Sequence, residues 1–274
     1  MTETRTGYAE INGARLYYEV AGTGYPLALV HAGIADSRMW DEQFAVFAQH
    51  YQVIRYDMSG YGKTAMVARE FSHRQDLYGL MKFLSVERAF LLGCSMGGKT
   101  ATDFALEHPD RVAALVLVGA DLSGYEDTGD PPRQWDEMVA AYQQKDFERL
   151  SELEVQIWVD GETRTPEQVN PAVRQRVLGM NIIALRNSAL KLGKEQPIEP
   201  PAIARLAEIR VPTLVVVGDL DHRSILEIAD LLTTGIPGAR KVVMSGTAHV
   251  PSMEQPGEFN RLVVEFLADL PKSY

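Results

Sequence analysis

The stretch Leu91-Leu92-Gly93-Cys94-Ser95-Met96-Gly97-Gly98 is an apolar run that enters the pentapeptide G-x-S-x-G and leaves it as helix-forming sequence. No other feature of the chain restricts its fold as much. A glycine on each flank lets the backbone turn from strand to helix within a few residues and lifts the serine hydroxyl clear at the end of a sheet. The pentapeptide alone is a weak signal; after a strand and before a helix it is a strong one. Cys94 is the rival nucleophile, but its neighbours two positions away are Leu92 and Met96, which do not permit the same tight turn about it. It is expected to pack.

A serine hydroxyl is a poor nucleophile at its own pKa and needs a neighbouring base, itself held by an acid. His249 is the best placed of six histidines, on a loop of small residues (Ser245 to Ala248) between a short strand and the final helix. His50 and His108 close helices, His73 precedes one, His222 neighbours the proposed acid, and His31 ends a strand where it is expected to shape the next loop. For the acid, Gly218-Asp219-Leu220-Asp221 follows a strand. Asp221 is preferred, since Asp219 sits at the strand exit and reads as a turn former; Asp121 is the third candidate. The order Ser95, Asp221, His249 is the one expected downstream of such a turn. A developing oxyanion needs amide donors. The Met96 amide at a helix N-terminus supplies one, and the loop after the third strand the other, with Gly33 favoured over Ile34.

Short β-branched and leucine-rich runs alternate with helical patterns through most of the sequence, which predicts a mostly parallel sheet covered on both faces. Eight strands are expected, at Tyr8–Ile11, Arg15–Val20, Leu27–His31, Gln52–Tyr56, Ala89–Cys94, Val112–Gly119, Pro212–Gly218 and Lys241–Met244, the first two joined as a hairpin about Asn12-Gly13. Helices are expected over Trp40–Ala48, Phe71–Leu84, Gly97–Glu107, Ser224–Thr233 and Gly257–Leu267. The alternation stops at Leu122 and resumes after Pro200. This gives an α/β core (1–121 and 201–274) with a helical insertion, 122–200, after the sixth strand. Asn170-Pro171 opens a helix in the insertion, Asn as cap and Pro at the first position. Its stripes, Val173, Val177, Met180, Ala184 and Leu178, Ile182, Leu185, Ala189, are wide enough to bury against two partners.

Composition removes several function classes. The longest apolar run, Val112 to Ala120, is nine residues, far short of the roughly 20 needed to span a bilayer. Neither a basic nor a hydrophobic leader is read in Met1 to Gly7, so a cytoplasmic location is expected. One cysteine among 274 residues allows no internal disulfide and no thiolate zinc cluster. A formal charge of −10, from 27 Lys and Arg against 37 Asp and Glu, repels phosphate backbones and makes nucleic acid a poor partner.

Together with the Ser95 turn, Tyr56-Asp57-Met58-Ser59-Gly60-Tyr61-Gly62-Lys63-Thr64 resembles the D-x-x-G-x-G-x-S/T loop of the α/β-hydrolase superfamily. Ile236-Pro237-Gly238-Ala239 and Glu254-Gln255-Pro256 are similar to that family's text around the histidine. Ala32 and Ala248 stand where the family commonly has glycine. Serine at the turn separates the chain from dehalogenase and epoxide hydrolase relatives, which need aspartate there. The resemblance implies an eight-stranded α/β-hydrolase core with a helical cap over 122–200. It also implies a cofactor-independent serine hydrolase, metal-free, acting as monomer or homodimer on an ester or lactone of a small to medium, largely apolar molecule. The same triad serves carbon–carbon bond hydrolysis and perhydrolase activity in the family, and a ligand receptor on this fold is the reading outside enzymes. Ile34, Trp135, Tyr142, Trp158 and Met180 are the expected substrate-lining residues.

Overall fold

The structure, a computed structural model, describes residues 4–270. Its eight sheet strands are β1 (Arg5–Ile11), β2 (Ala14–Ala21), β3 (Pro26–Val30), β4 (Gln52–Tyr56), β5 (Ala89–Cys94), β6 (Val112–Val118), β7 (Thr213–Gly218) and β8 (Arg240–Met244). They lie in the order β1-β2-β4-β3-β5-β6-β7-β8. β1 and β2 form an antiparallel hairpin, and β2 is antiparallel to β4. Every other pairing is parallel. The hairpin turn has φ of 47° at Asn12 and 76° at Gly13, the left-handed pair that its sequence predicts.

The central strands read as unbroken apolar text because both faces are covered. Phe90, Leu92 and Cys94 of β5, with Ala114, Val116 and Val118 of β6, face one apolar layer. There they meet Trp40, Phe44 and Phe47 around helix α1 (Asp41–Phe47), and Phe259, Val263 and Phe266 of the C-terminal helix (Pro256–Ala268). Leu91, Leu115 and Leu117 face the other layer, against Leu77 and Leu80 of α2 (His73–Phe83), Phe104 of α3 (Met96–Glu107), and Ile225 and Ile228 of the helix Arg223–Gly235. Alternate residues of one strand thus serve two cores.

Between β6 and β7 the insertion carries α4 (Trp135–Gln144), α5 (Phe147–Val155) and α6 (Pro171–Ser188). The Asn170 side chain accepts from the Ala172 amide (2.9 Å) with Pro171 in the first turn, the predicted start of α6. Val173, Val177 and Met180 pack with Val155 and Val159. Two local details differ from the sequence reading. The helix expected from Phe71 begins at His73, because Ser72 caps it through the Gln75 amide. Phe71, with Glu70, instead pairs in parallel with Lys194–Glu195 of the insertion, a two-residue ladder too short to leave a periodic signal. No helix among the described residues is long and apolar enough to cross a membrane.

Candidate active site

Ser95 sits at φ 53° and ψ −119°, in the left-handed half of backbone space. Such a conformation costs of order 1–3 kcal/mol and persists only where the surroundings dictate it. Here they do. The Ser95 amide donates to the Val118 carbonyl at the end of β6 (2.9 Å), and its own carbonyl accepts from the amides of Lys99 (3.0 Å) and Asp121 (3.1 Å). A side chain at Gly93 would lie 2.2 Å from the Gly97 carbonyl oxygen, and one at Gly97 2.2 Å from that of Val30. The flanking glycines are therefore set by backbone packing as well as by the turn. Cys94 is fully buried beneath this turn, and burial pushes its thiol far above the ordinary range; its Sγ approaches the His249 carbonyl at 3.6 Å.

His249 and Asp221 are brought together from two loops, both buried. The imidazole Nδ1 lies 3.0 and 3.1 Å from the two carboxylate oxygens. A carboxylate only accepts, so the proton belongs on Nδ1 and Nε2 is left as the acceptor. Asp221 is held in turn by the His222 amide (2.8 Å). The pair fits over Gly119, the residue after β6, whose φ is 46°. A Cβ there would stand 3.2 Å from both Asp221 Oδ2 and His249 Nδ1. Gly119 follows Val118, which holds the Ser95 amide, so serine turn and acid–base pair share one support. The structure forms no hydrogen bond between Ser95 Oγ and His249 among the described residues; such bonds are often long before substrate binds.

The other acid candidates have different partners. Asp219 accepts from Ser245 Oγ (2.9 Å) and the Gly246 amide (2.7 Å), tying the end of β7 to the histidine loop, while Asp121 accepts from the Leu122 amide. His31 is buried with Nδ1 on the Ala32 carbonyl (2.8 Å) and Nε2 accepting from the Met58 amide (3.0 Å). Burial lowers its pKa below the ordinary imidazole value, against the pull of Asp57. It fixes the loop that brings Gly33 opposite Met96, where a Cβ on Gly33 would lie 3.7 Å from that of Met96. Ile34 is half-buried beside it.

The expected lining residues divide. The Trp158 ring lies 4.7 Å from the His249 ring and 5.8 Å from that of His222, and its carbonyl accepts the His249 amide (3.0 Å). Met180 is buried within the insertion's own core, which accounts for it as packing. Trp135 and Tyr142 are 51% and 39% exposed and, with Val139, form an outward stripe on α4 at i, i+4, i+7 spacing. Their exposure does not match a roof sealed from water.

A clamp on the histidine loop was not read from the sequence. Arg164 donates to the carbonyls of Val159 (2.7 Å), Asp160 (2.8 Å) and Gly246 (3.1 Å) and pairs with Glu254 (2.8 Å), whose other oxygen accepts the Ala248 amide (2.8 Å). Only the Glu254-Gln255-Pro256 text hinted at it, and it named no partner. No group of three or more metal-binding side chains occurs among the described residues.

A family model for the α/β-hydrolase fold matches residues 25–256. The chain belongs to that family, and the fold and site place it among the α/β-hydrolase enzymes. It is 29% identical over 261 residues to 2-hydroxy-6-oxo-6-phenylhexa-2,4-dienoate hydrolase of Comamonas testosteroni, covering 92% of this chain and 91% of the relative. It is also 29% identical over 259 residues to the pimeloyl-[acyl-carrier protein] methyl ester esterase of Pectobacterium carotovorum, covering 92% and 98%. Among solved structures, Est816, described as an N-acyl homoserine lactone degrading enzyme, superposes with a TM-score of 0.76 at 26% identity over 94% of this chain and 99% of its own.

Proposed function

We propose that the protein cleaves a carboxylic ester or lactone through an acyl-enzyme, with Ser95 as nucleophile, His249 as base and Asp221 as the group that orients it. The observation that carries this reading is the shared support at β6, which sets the strained Ser95 turn beside the Asp221–His249 pair. Ser95 Oγ attacks the carbonyl carbon while His249 Nε2 takes its proton, and the amides of Met96 and Gly33 receive the negative charge that develops on oxygen. Collapse returns the proton to the leaving alkoxide and leaves the acyl group on Ser95. Water, deprotonated by His249, then releases the acid. Residues 122–200 act as a cap over this centre, and Trp158 closes it against solvent beside the imidazole. An esterase and a lactone-degrading enzyme among the similar proteins support the substrate class.

The likeness to a hydrolase named for a 2-hydroxy-6-oxo dienoate favours a second reading, hydrolysis of a carbon–carbon bond in a dicarbonyl compound. The products separate the two: an acid and an alcohol in the first case, an acid and a second carbonyl compound or its enol in the other. The common step is tested by treating the protein with an organophosphonate and mapping the adduct by mass spectrometry. The adduct is expected on Ser95, and Ser95→Ala is expected to lower turnover by about 10⁴ to 10⁶. Labelling of Cys94, or more than a trace of activity in the alanine variant, rejects the reading.

A further inference from the structure

Beside the loop of Gly33, the turn after β4 carries a hydroxyl group that its own packing does not require. The Tyr61 ring lies 5.0 Å from that of His31 and 6.3 Å from that of His73, contacts that phenylalanine would make as well. Among the described residues the hydroxyl makes one hydrogen bond, donating to Met96 Sδ at 3.6 Å. A thioether is a weak acceptor. An oxygen brought within reach takes the bond over.

The hydroxyl is held in place from three sides. His31 Nε2 accepts the Met58 amide (3.0 Å), and the Met58 carbonyl accepts the Tyr61 amide (3.0 Å). Asp57 accepts the amides of Lys63 (2.7 Å) and Ser37 (2.8 Å), which ties the Tyr61 turn to the chain just past Gly33. From the insertion, Asn187 of α6 donates to the Gly60 carbonyl (2.8 Å). Burial, with the negative charges of Glu195 and Glu154, pushes the phenol up to about 12, so the hydroxyl remains a donor at neutral and mildly alkaline pH.

Its distance from the residues of the reacting centre is short. A Cβ on Gly33 would stand 3.7 Å from Met96 Cβ, 3.8 Å from Met96 Sδ and 3.9 Å from the Tyr61 hydroxyl oxygen. These are ordinary van der Waals separations, so the three groups bound a space for one methyl-sized atom. Gly33, Tyr61, Ser95 and Met96 are each half-buried where Ala32, Gly60, Cys94 and Gly97 beside them are buried, which leaves hydroxyl and nucleophile both open to a ligand. The walls of the space are side-chain atoms of Met96 and the Cα of Gly33, not the two amides assigned to the oxyanion. An atom seated there is therefore a near neighbour of the reacting carbonyl and not its oxygen. The leaving oxygen has to face His249 Nε2, and no hydrogen bond or ring contact among the described residues joins Tyr61 to the histidine loop. The neighbour belongs to the acyl chain.

We infer that Tyr61 is a specificity-determining residue whose hydroxyl donates to an oxygen on the acyl chain, attached at the first or second carbon beyond the reacting carbonyl. This rests on the acyl-enzyme reading above and narrows its substrates from plain apolar acyl chains to those with an acceptor oxygen near the scissile bond. Met96 Sδ retains the hydroxyl when that oxygen is missing, so the discrimination is that of one neutral hydrogen bond, about three- to tenfold.

The test measures kcat/KM for p-nitrophenyl esters in pairs that exchange a methylene for an ether oxygen: methoxyacetate with butanoate, 3-methoxypropanoate with pentanoate, and 4-methoxybutanoate with hexanoate. The oxygen also changes the ester's intrinsic reactivity. Each wild-type preference is therefore divided by the same preference in Tyr61→Phe, which keeps the ring on His31 and removes only the donor. This quotient is expected at about three- to tenfold for at least one of the first two pairs, and near one for the third. If Tyr61→Phe does not fold, wild-type preferences divided by those of hydroxide-catalysed hydrolysis take its place, with the same pattern expected. A quotient near one for every pair, as a uniform loss in Tyr61→Phe gives, or one largest for the third pair, overturns the inference. Ser95-dependent turnover of the alkanoates then leaves the acyl-enzyme reading standing. Turnover that is absent, or that survives Ser95→Ala, removes both.

Discussion

At the scale of single residues, the conformation of Ser95 and the space over Gly119 set the geometry of the candidate site, and buried carboxyl groups elsewhere lower the stability of the fold. Asp103 on α3 shows that cost most simply. Ser123 donates to its Oδ2 (2.7 Å), Oδ1 has no partner among the described residues, and burial pushes the carboxyl up to about 6. An unfolded aspartate ionises near 3.9. With the folded value raised, stability is unaffected below about pH 4, falls as pH climbs from there to about 6, and stays lowered above it, by roughly 2–3 kcal/mol. Asp103→Asn removes the charge and keeps an acceptor for Ser123. It should raise Tm by several degrees at pH 7.5 and leave it nearly unchanged at pH 4, read by thermal unfolding at both pH values. An equal difference at the two would mean that packing, not ionisation, is responsible. Residue types at the serine turn were legible because glycine spacing encodes the turn itself. Gly119 was not, since its need arises only when two loops distant in sequence meet above it.

Among the secondary-structure elements, the stretch from α5 through the π-helical turn to Arg164 holds the histidine loop, through the Trp158 carbonyl and the Arg164 contacts. Arg164 is 14% exposed at the side chain and Glu254 6%, so each is the other's main compensation. Removing one partner of such a pair typically costs about 3–5 kcal/mol, whereas removing both is far milder. Arg164→Met is therefore expected to lower both Tm and kcat, because Glu254 also holds the Ala248 amide beside His249. The double variant Arg164→Met/Glu254→Gln should recover most of the lost Tm. If the double variant is as unstable as the single, Arg164 acts through its three carbonyl contacts alone. The strands and core helices could be read from the sequence because apolar period sets them locally: β5, β6 and β7 lie where the β-branched and leucine-rich runs do. Arg164 gave no such signal. It has no periodic role, and its partners are carbonyls, which carry no residue identity.

Over the whole molecule, the interrupted alternation after β6 marked the insertion, which carries α4, α5 and α6 between β6 and β7. The lining of the insertion was harder to read. Aromatic residues on a helix have the same sequence appearance whether they pack against a histidine, as Trp158 packs against His249, or stand exposed, as Trp135 does. Trp158→Ala keeps the carbonyl that accepts the His249 amide while deleting the ring. It is expected to shift relative kcat/KM among esters of different acyl length by roughly 1–3 kcal/mol, measured across a chain-length series. A uniform loss on every ester would place the ring in support of the imidazole instead of the pocket wall.

The bond from the His249 amide to the Trp158 carbonyl has a consequence for motion. Any movement that lifts Trp158's turn must release the backbone amide of His249. The same bond makes the His249 amide a built-in clock. Its exchange with deuterated solvent runs only as often as the docked turn detaches, independently of how freely α4 breathes.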